Sequence, residues 1–177
     1  MGKKLYILLT RFPDRGSKWI QALTGCRYTH AAIGLDEDLN KFYSFKLKGF
    51  MTEEITRYLR PNREPFACQL YELPVTEQKY ASVKQRIEQF IARKADLRYT
   101  RLGLVLSLFR IPFKRRNHYF CSQFVAETLQ HTQTAKLRKS SSLYLPGDLR
   151  KVAGTRLIYQ GNLSGMAVRF HLCAQGA

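Results

Sequence analysis

Two residues in this sequence have a type and setting that point to chemistry: a cysteine opening a helical pattern and a histidine on a strand. Cys121 follows Tyr119 and Phe120 and starts the apolar-periodic segment CSQFVAETLQ, so its sulfur is expected beside the unpaired N–H groups of a helical first turn. Their partial positive charge favours thiolate, the nucleophilic form, over thiol. The same donors would hold an oxyanion forming on an attacked carbonyl. The competing identity for a lone cysteine is a small hydrophobe in a core. His30 lies in YTHAAIGL, where alternation puts His30, Ala32 and Gly34 on one face and Ala31, Ile33 and Leu35 on the other. Its small neighbours leave an imidazole room to reach a cleft. If the hairpin turns around Asp38, facing residues have numbers summing to about 76, which sets Ser44 diagonal to His30 on the same side. The Ser44 hydroxyl would then orient the ring. The competing picture is a solvent-facing His beside a Ser on an edge strand.

Taken together the residues make a thiol-hydrolase set: Cys121 to attack, His30 to shuttle the proton and Ser44 to fix the imidazole. A strand reading T-H-A-A-I-G-L-D, a second reading F-Y-S-F and, much later, an aromatic followed by C-S-Q-F-V-A-E-T-L resemble the circularly permuted papain-like group. This group includes YiiX-like and lecithin:retinol acyltransferase-like proteins and is related to NlpC-type amidases. The resemblance also takes in LTRFPDRGSKWIQALTG and L-P-G-D-L at 145–149. Unpermuted members have the Cys helix before the His strand; here His30 precedes Cys121, the permuted order. The resemblance implies a sheet packed against helices, Cys121 as nucleophile, His30 as base and no cofactor. The third polar position is often His or Glu in such proteins, and Ser44 takes it here, a departure that leaves imidazolium without a stabilising charge. An amide, peptide or ester carbonyl is the implied target, with a lipid ester or small peptide amide as substrate and either hydrolysis or acyl transfer as outcome.

Other assignments compete for the same residues. Cys26 with His30 and His118 with Cys121 would supply four zinc ligands on paper, but Cys26 falls between a helix end and a strand rather than in a tight knuckle. The 177 residues carry 30 Lys and Arg against 13 Asp and Glu, a net +17, which draws anionic ligands, membrane surfaces or acidic substrates. Lys114, Arg115 and Arg116 form one basic knot, and Arg93, Lys94, Arg98 and Arg101 with Tyr99 form another. A non-catalytic basic domain on nucleic acid or anionic lipid is therefore the alternative function, although no helix-turn-helix, phosphate loop or paired aromatic RNA motif supports nucleic acid. A basic rim would also assist an enzyme by favouring the thiolate. Cys68 and Cys173 read as packing residues, His118 as a loop residue, His131 as a helix C-terminal charge, and Asp14, Asp96 and Asp148 have no partner assignable from spacing.

The elements that would position the pair form a single domain over 1–177. At this length roughly 70% of the unfolded surface can be buried on folding, so neither disulfides nor a structural metal is needed. The apolar run Leu5–Leu9 is short for a signal peptide and no stretch approaches the about 20 residues of a membrane span. A cytoplasmic protein with reduced thiols is expected. Strands are expected at 5–10, 28–35, 41–47 and 66–73, a short helix at 17–24, and helices at 76–94, 100–109 and 120–130. Two closing strands are expected at 155–160 and 168–172. The class is α+β: strands early, helices in the middle, strands at the end.

Overall fold

The structure, a computed structural model, describes residues 2–12, 18, 20–22, 25–35, 39–59 and 66–172. Its frame is a six-stranded antiparallel sheet. In chain order the strands are β1 (Lys3–Arg11), β2 (His30–Leu35), β3 (Lys41–Lys46), β4 (Gly49–Glu54), β5 (Ala67–Val75) and, after the helices, β8 (Arg156–Asn162). Their spatial order is β4-β3-β2-β1-β5-β8. The run LYILL makes β1 central: Leu5 to Leu9 are buried on both faces because both faces are covered. A separate pair, β6 (Arg98–Tyr99) with β7 (His118–Tyr119), is parallel and two residues long.

One face carries α1 (Glu77–Ala92) and α3 (Cys121–His131). Thr76 caps α1 by accepting from Lys79 N–H, and Tyr80, Val83, Ile87 and Phe90 recur at helical spacing to meet Leu5, Ile7 and Leu9. Phe90 and Phe124 pack edge to face at 4.9 Å and join α1 to α3; Phe45 and Phe50 extend the cluster to β3 and β4. Thr100 caps the short α2 (Arg101–Leu108) through Gly103 N–H. After α3 comes α4 (Pro146–Leu149), with Pro at its start and Asp148 accepting from Leu145 N–H.

The opposite face packs Tyr6, Leu8, Ala32, Phe42 and Leu70 against Ile55, Leu163 and Met166. Leu163 and Met166 belong to α5 (Leu163–Arg169), which corrects the closing strand expected at 168–172. Alternating Val168, Phe170 and Leu172 imitates a strand. However, Asn162 accepts from Gly165 N–H at 2.7 Å as an N-cap, and Leu163, Met166 and Ala167 form the buried stripe while Val168 is 77% exposed. The strand expected at 155–160 is β8. Of the helix expected at 17–24, Lys18 and Ile20 to Ala22 are helical and the rest lies outside the described residues. Asp14, Asp38 and Cys173 also lie outside them. Among the described residues no helix is long and apolar enough to cross a membrane.

The strand β4 has no counterpart in the sequence reading. Leu47 and Lys48 turn β3 back on itself, and Gly49 follows at φ +98°, where a side chain is strained. A Cβ there would also stand 2.5 Å from the Leu97 carbonyl oxygen. This glycine thus allows both the tight hairpin and the seating of residues 97–99 against it. The β3–β4 register pairs Phe42 with Glu53, which puts Glu53 on the Ala32 face of the sheet.

Candidate active site

The β2–β3 register pairs Ile33 with Tyr43 and Gly34 with Phe42, so the expected sum holds and the hairpin is correctly framed. Toward His30 the ladder stops at Ile33. α3 packs against β2 and β3, and Cys121 and His30, 5% and 7% exposed, meet on one cavity, close enough for each to shift the other's ionisation.

The His30 partner on its far side is Glu53, not Ser44. His30 Nε2 lies 2.6 Å from Glu53 Oε1, which leaves Nδ1 as the ring nitrogen available to the sulfur. Glu53 Oε2 accepts from Tyr58 OH at 3.0 Å and lies 2.6 Å from Lys46 Nζ. Lys46 in turn donates to Tyr58 OH at 2.6 Å and stands over the Phe12 and Tyr58 rings. Both carboxylate oxygens are thus engaged, which a buried charge requires. Phe12 completes the enclosure, with its ring 5.3 Å from that of His30.

Ser44 has a different task, and this corrects its expected role. Its hydroxyl, wholly buried, donates to the Ala31 carbonyl at 2.5 Å. That carbonyl lies past the Ile33–Tyr43 pair where the β2–β3 ladder ends, so the side chain supplies a bond in place of the ladder. Ser44→Ala is expected to lower unfolding stability by about 1–3 kcal/mol, measured by denaturant titration, because it leaves the carbonyl unsatisfied. The His30–Glu53 pair should persist in this variant.

The electrostatics follow from these contacts. Burial opposes charge on His30, but the Glu53 carboxylate and the hydrogen bond to Cys121 prevail and push its pKa up to about 9. Burial likewise opposes the Glu53 charge, yet His30 and Lys46 hold its carboxyl down at about 2. Burial would raise the Cys121 thiol; the hydrogen bond and charge of His30, with the N–H groups of Ala31 and Ser122, bring it below its ordinary value. At neutral pH the arrangement favours thiolate, imidazolium and carboxylate in line. Cys68, buried in the opposite core without such partners, is pushed up to about 12. In α3 the Phe124 N–H bonds back to Phe120 O at 3.0 Å, the first helical ring to close. The N–H groups of residues 121–123 precede that ring and lack an intrahelical partner, and that of Ser122 acts on the sulfur.

Cys121 and His30 line a cavity of about 460 Å³ with Phe12, Ile20, Phe45, Met51 and Tyr99. Its walls are mainly apolar, with Thr29, Lys46 and Lys48 as polar exceptions beside the Cys–His pair. Tyr99 arrives through the β6–β7 pair, whose second strand leads directly into Cys121; burial pushes its phenol well above the ordinary range.

The zinc alternative does not assemble. Among the described residues no three of His, Cys, Asp and Glu cluster as metal ligands, and the His118 ring engages the Arg116 carbonyl at 2.8 Å. Asp148 pairs with Lys139 at 2.9 Å. Glu53, the group the sequence reading missed, had one available signal. Gly49 after Lys46-Leu47-Lys48 marks a tight turn, and counting on from it puts Glu53 rather than Glu54 opposite Phe42, on the face that His30 shares.

No family model matches the chain, and no curated protein matches it.

Proposed function

We propose that the protein is a cysteine hydrolase or acyltransferase of the circularly permuted papain-like class, acting on an ester, thioester or amide carbonyl. The observation that carries this reading is the line Cys121–His30–Glu53, with the imidazole hydrogen-bonded to the carboxylate on one side and coupled to the sulfur on the other, opening onto an apolar cavity. The order of elements, with the His strand before the Cys helix and an antiparallel sheet packed on helices, supports the class.

In the proposed reaction the Cys121 thiolate attacks the carbonyl carbon, and the oxyanion is held by N–H groups at the start of α3. His30 donates its proton to the leaving alcohol, thiol or amine as the carbonyl reforms, giving an acyl-thioester on Cys121. Neutral His30 then takes a proton from water, or from an acceptor alcohol or amine, as that group attacks the thioester. The carboxylate of Glu53 holds the ring and stabilises the imidazolium throughout. The apolar cavity favours substrates with an apolar acyl group or side chain.

Incubation with a panel of p-nitrophenyl esters, acyl thioesters and peptide anilides, followed by intact-mass analysis, tests the reading. The expected result is an acyl adduct on Cys121 with at least one substrate, absent from Cys121→Ala. Turnover that survives Cys121→Ala would overturn the reading. So would the absence of adduct and turnover across the panel.

The pH dependence has a definite sign. Turnover should rise on an acid limb below the ordinary thiol range as Cys121 ionises, and should fall again as His30 loses its proton near about 9. Alkylation of Cys121 needs the thiolate but no proton donor, so it should persist above that pH while turnover declines. Parallel profiles measured with one substrate and with iodoacetamide check this; a common alkaline fall would count against His30 as the acid.

A further inference from the structure

The helix α2 is packed inside out. Its small residues Gly103 and Ser107 are buried, while Leu102, Val105 and Phe109 stand 57%, 44% and 72% exposed. Intervals of three and four residues put Leu102, Val105 and Phe109 on one helical face, and Ile111, 50% exposed, continues the stripe just beyond the helix. Scattered exposed apolar side chains are ordinary; a contiguous stripe on one face marks a surface that something covers. The helix is not free to roll and bury it. Thr100 caps it through Gly103 N–H, and a Cβ at Gly103 would come within 2.8 Å of the Thr100 methyl.

Positive charge flanks the stripe along the chain. Arg101, Arg110, Arg115 and Arg116 are all exposed, and among the described residues none of them is paired with a carboxylate. No Asp or Glu occurs in the sequence between Asp96 and Glu127. The β3–β4 turn contributes a second element of the same kind. Leu47, 66% exposed, and the exposed Lys48 sit beside Gly49, which abuts the Leu97 carbonyl just before β6 and α2. Both Leu47 and Tyr99, the residue before the α2 cap, line the cavity that contains Cys121.

We propose that α2, the segment to Arg116 and the Leu47–Lys48 turn form a docking surface for an anionic lipid bilayer. Leu102, Val105, Phe109 and Ile111 enter the boundary between headgroups and acyl chains, and the arginines lie at headgroup level. Charge complementarity selects this occupant. A second copy would bring two arginine-rimmed faces of a +17 chain together. A nucleic acid would engage the arginines but has no use for the exposed leucine, valine and phenylalanine. The surface stands independently of the chemistry at Cys121, although it opens that cavity toward the membrane.

Co-sedimentation of the full chain with phosphatidylcholine vesicles, with and without phosphatidylserine, tests the proposal. Binding should be at least about tenfold stronger to the anionic vesicles and should weaken with salt. The double variant Val105→Asp with Phe109→Asp, and the triple variant Arg110→Glu with Arg115→Glu and Arg116→Glu, should each reduce it at least about tenfold. Their exposed positions predict unchanged melting temperatures. If the aspartate variant does not fold, Phe109→Ser and the arginine variant carry the test. Binding that is equal for both vesicle types, or unaffected by the variants, overturns the proposal. A dimer that dissociates on Phe109→Asp without any vesicle binding assigns the stripe to a second copy instead. Salt-sensitive RNA binding indifferent to Phe109→Asp, again without vesicle binding, assigns the arginines to nucleic acid.

Discussion

Iodoacetamide at neutral pH is expected to label Cys121 at least about 100-fold faster than Cys68, and Cys121→Ala is expected to reduce turnover to the buffer rate. The magnitude follows from thiolate population. A thiol at about 12 is ionised to only about one part in 10⁵ at neutral pH, whereas Cys121 is held below its ordinary value by His30 and two backbone N–H groups. A lower pKa also weakens the nucleophile, so part of the gain in population is lost, which is why the expected ratio is well below the ratio of ionised fractions. Access is not the limit, because Cys121 lines the cavity despite its low exposure. His30→Ala removes the hydrogen bond and charge that offset burial, so the Cys121 rate should fall toward that of Cys68. Peptide mapping after timed alkylation gives all of these rates, and equal labelling of Cys121 in the native and His30→Ala proteins would falsify the ion pair.

The two residues in that experiment were legible because each carries its signal locally. Cys121 opens a periodic segment and His30 sits in a strand whose alternation can be counted. The hairpin register was legible too: reading the polar cluster around Asp38 as a turn gives the sum 76, which the paired strands keep. What sequence spacing could not resolve was competition for hydrogen bonds. It put Ser44 on the right face, but the end of the β2–β3 ladder leaves the Ala31 carbonyl open, and a short hydroxyl serves the nearest open acceptor. Glu53 was hidden for the opposite reason. Adjacent Glu53 and Glu54 look like a solvated pair, and Glu54 does make an exposed pair with Arg57. Only the tertiary gathering of His30, Lys46 and Tyr58 makes burial of Glu53 tolerable. The inverted polarity of α2 was illegible for a related reason: periodicity identifies a helix but assumes that its apolar side faces inward.

Glu53→Gln separates the roles of Glu53 and Ser44 and is expected to lower turnover by up to about 10⁴-fold, the loss seen when a carboxylate orienting a catalytic histidine becomes an amide. The amide oxygen can still accept from His30 Nε2, so the geometry is nearly kept. What is lost is the negative charge that outweighs burial of the imidazolium. The His30 pKa should fall from about 9 toward or below its ordinary 6.5, the thiolate should lose its cation at neutral pH, and the acid limb of alkylation should move alkaline. Lys46, now facing an amide, loses the charge partner that stabilises its partly buried ammonium. A second consequence appears in acid. In the native protein Glu53 is lowered from 4.5 to about 2, so it contributes stability that is fully present above 4.5 and is lost as pH falls through about 2. The variant should therefore show a flatter fall in melting temperature across that interval. Ser44→Ala should do the reverse on both counts, with reduced stability at all these pH values and turnover within a few-fold of native, because its hydroxyl serves the Ala31 carbonyl. If Ser44→Ala instead moved the pH profile while Glu53→Gln left it in place, the hydroxyl would be the orienting group and the carboxylate a structural ion.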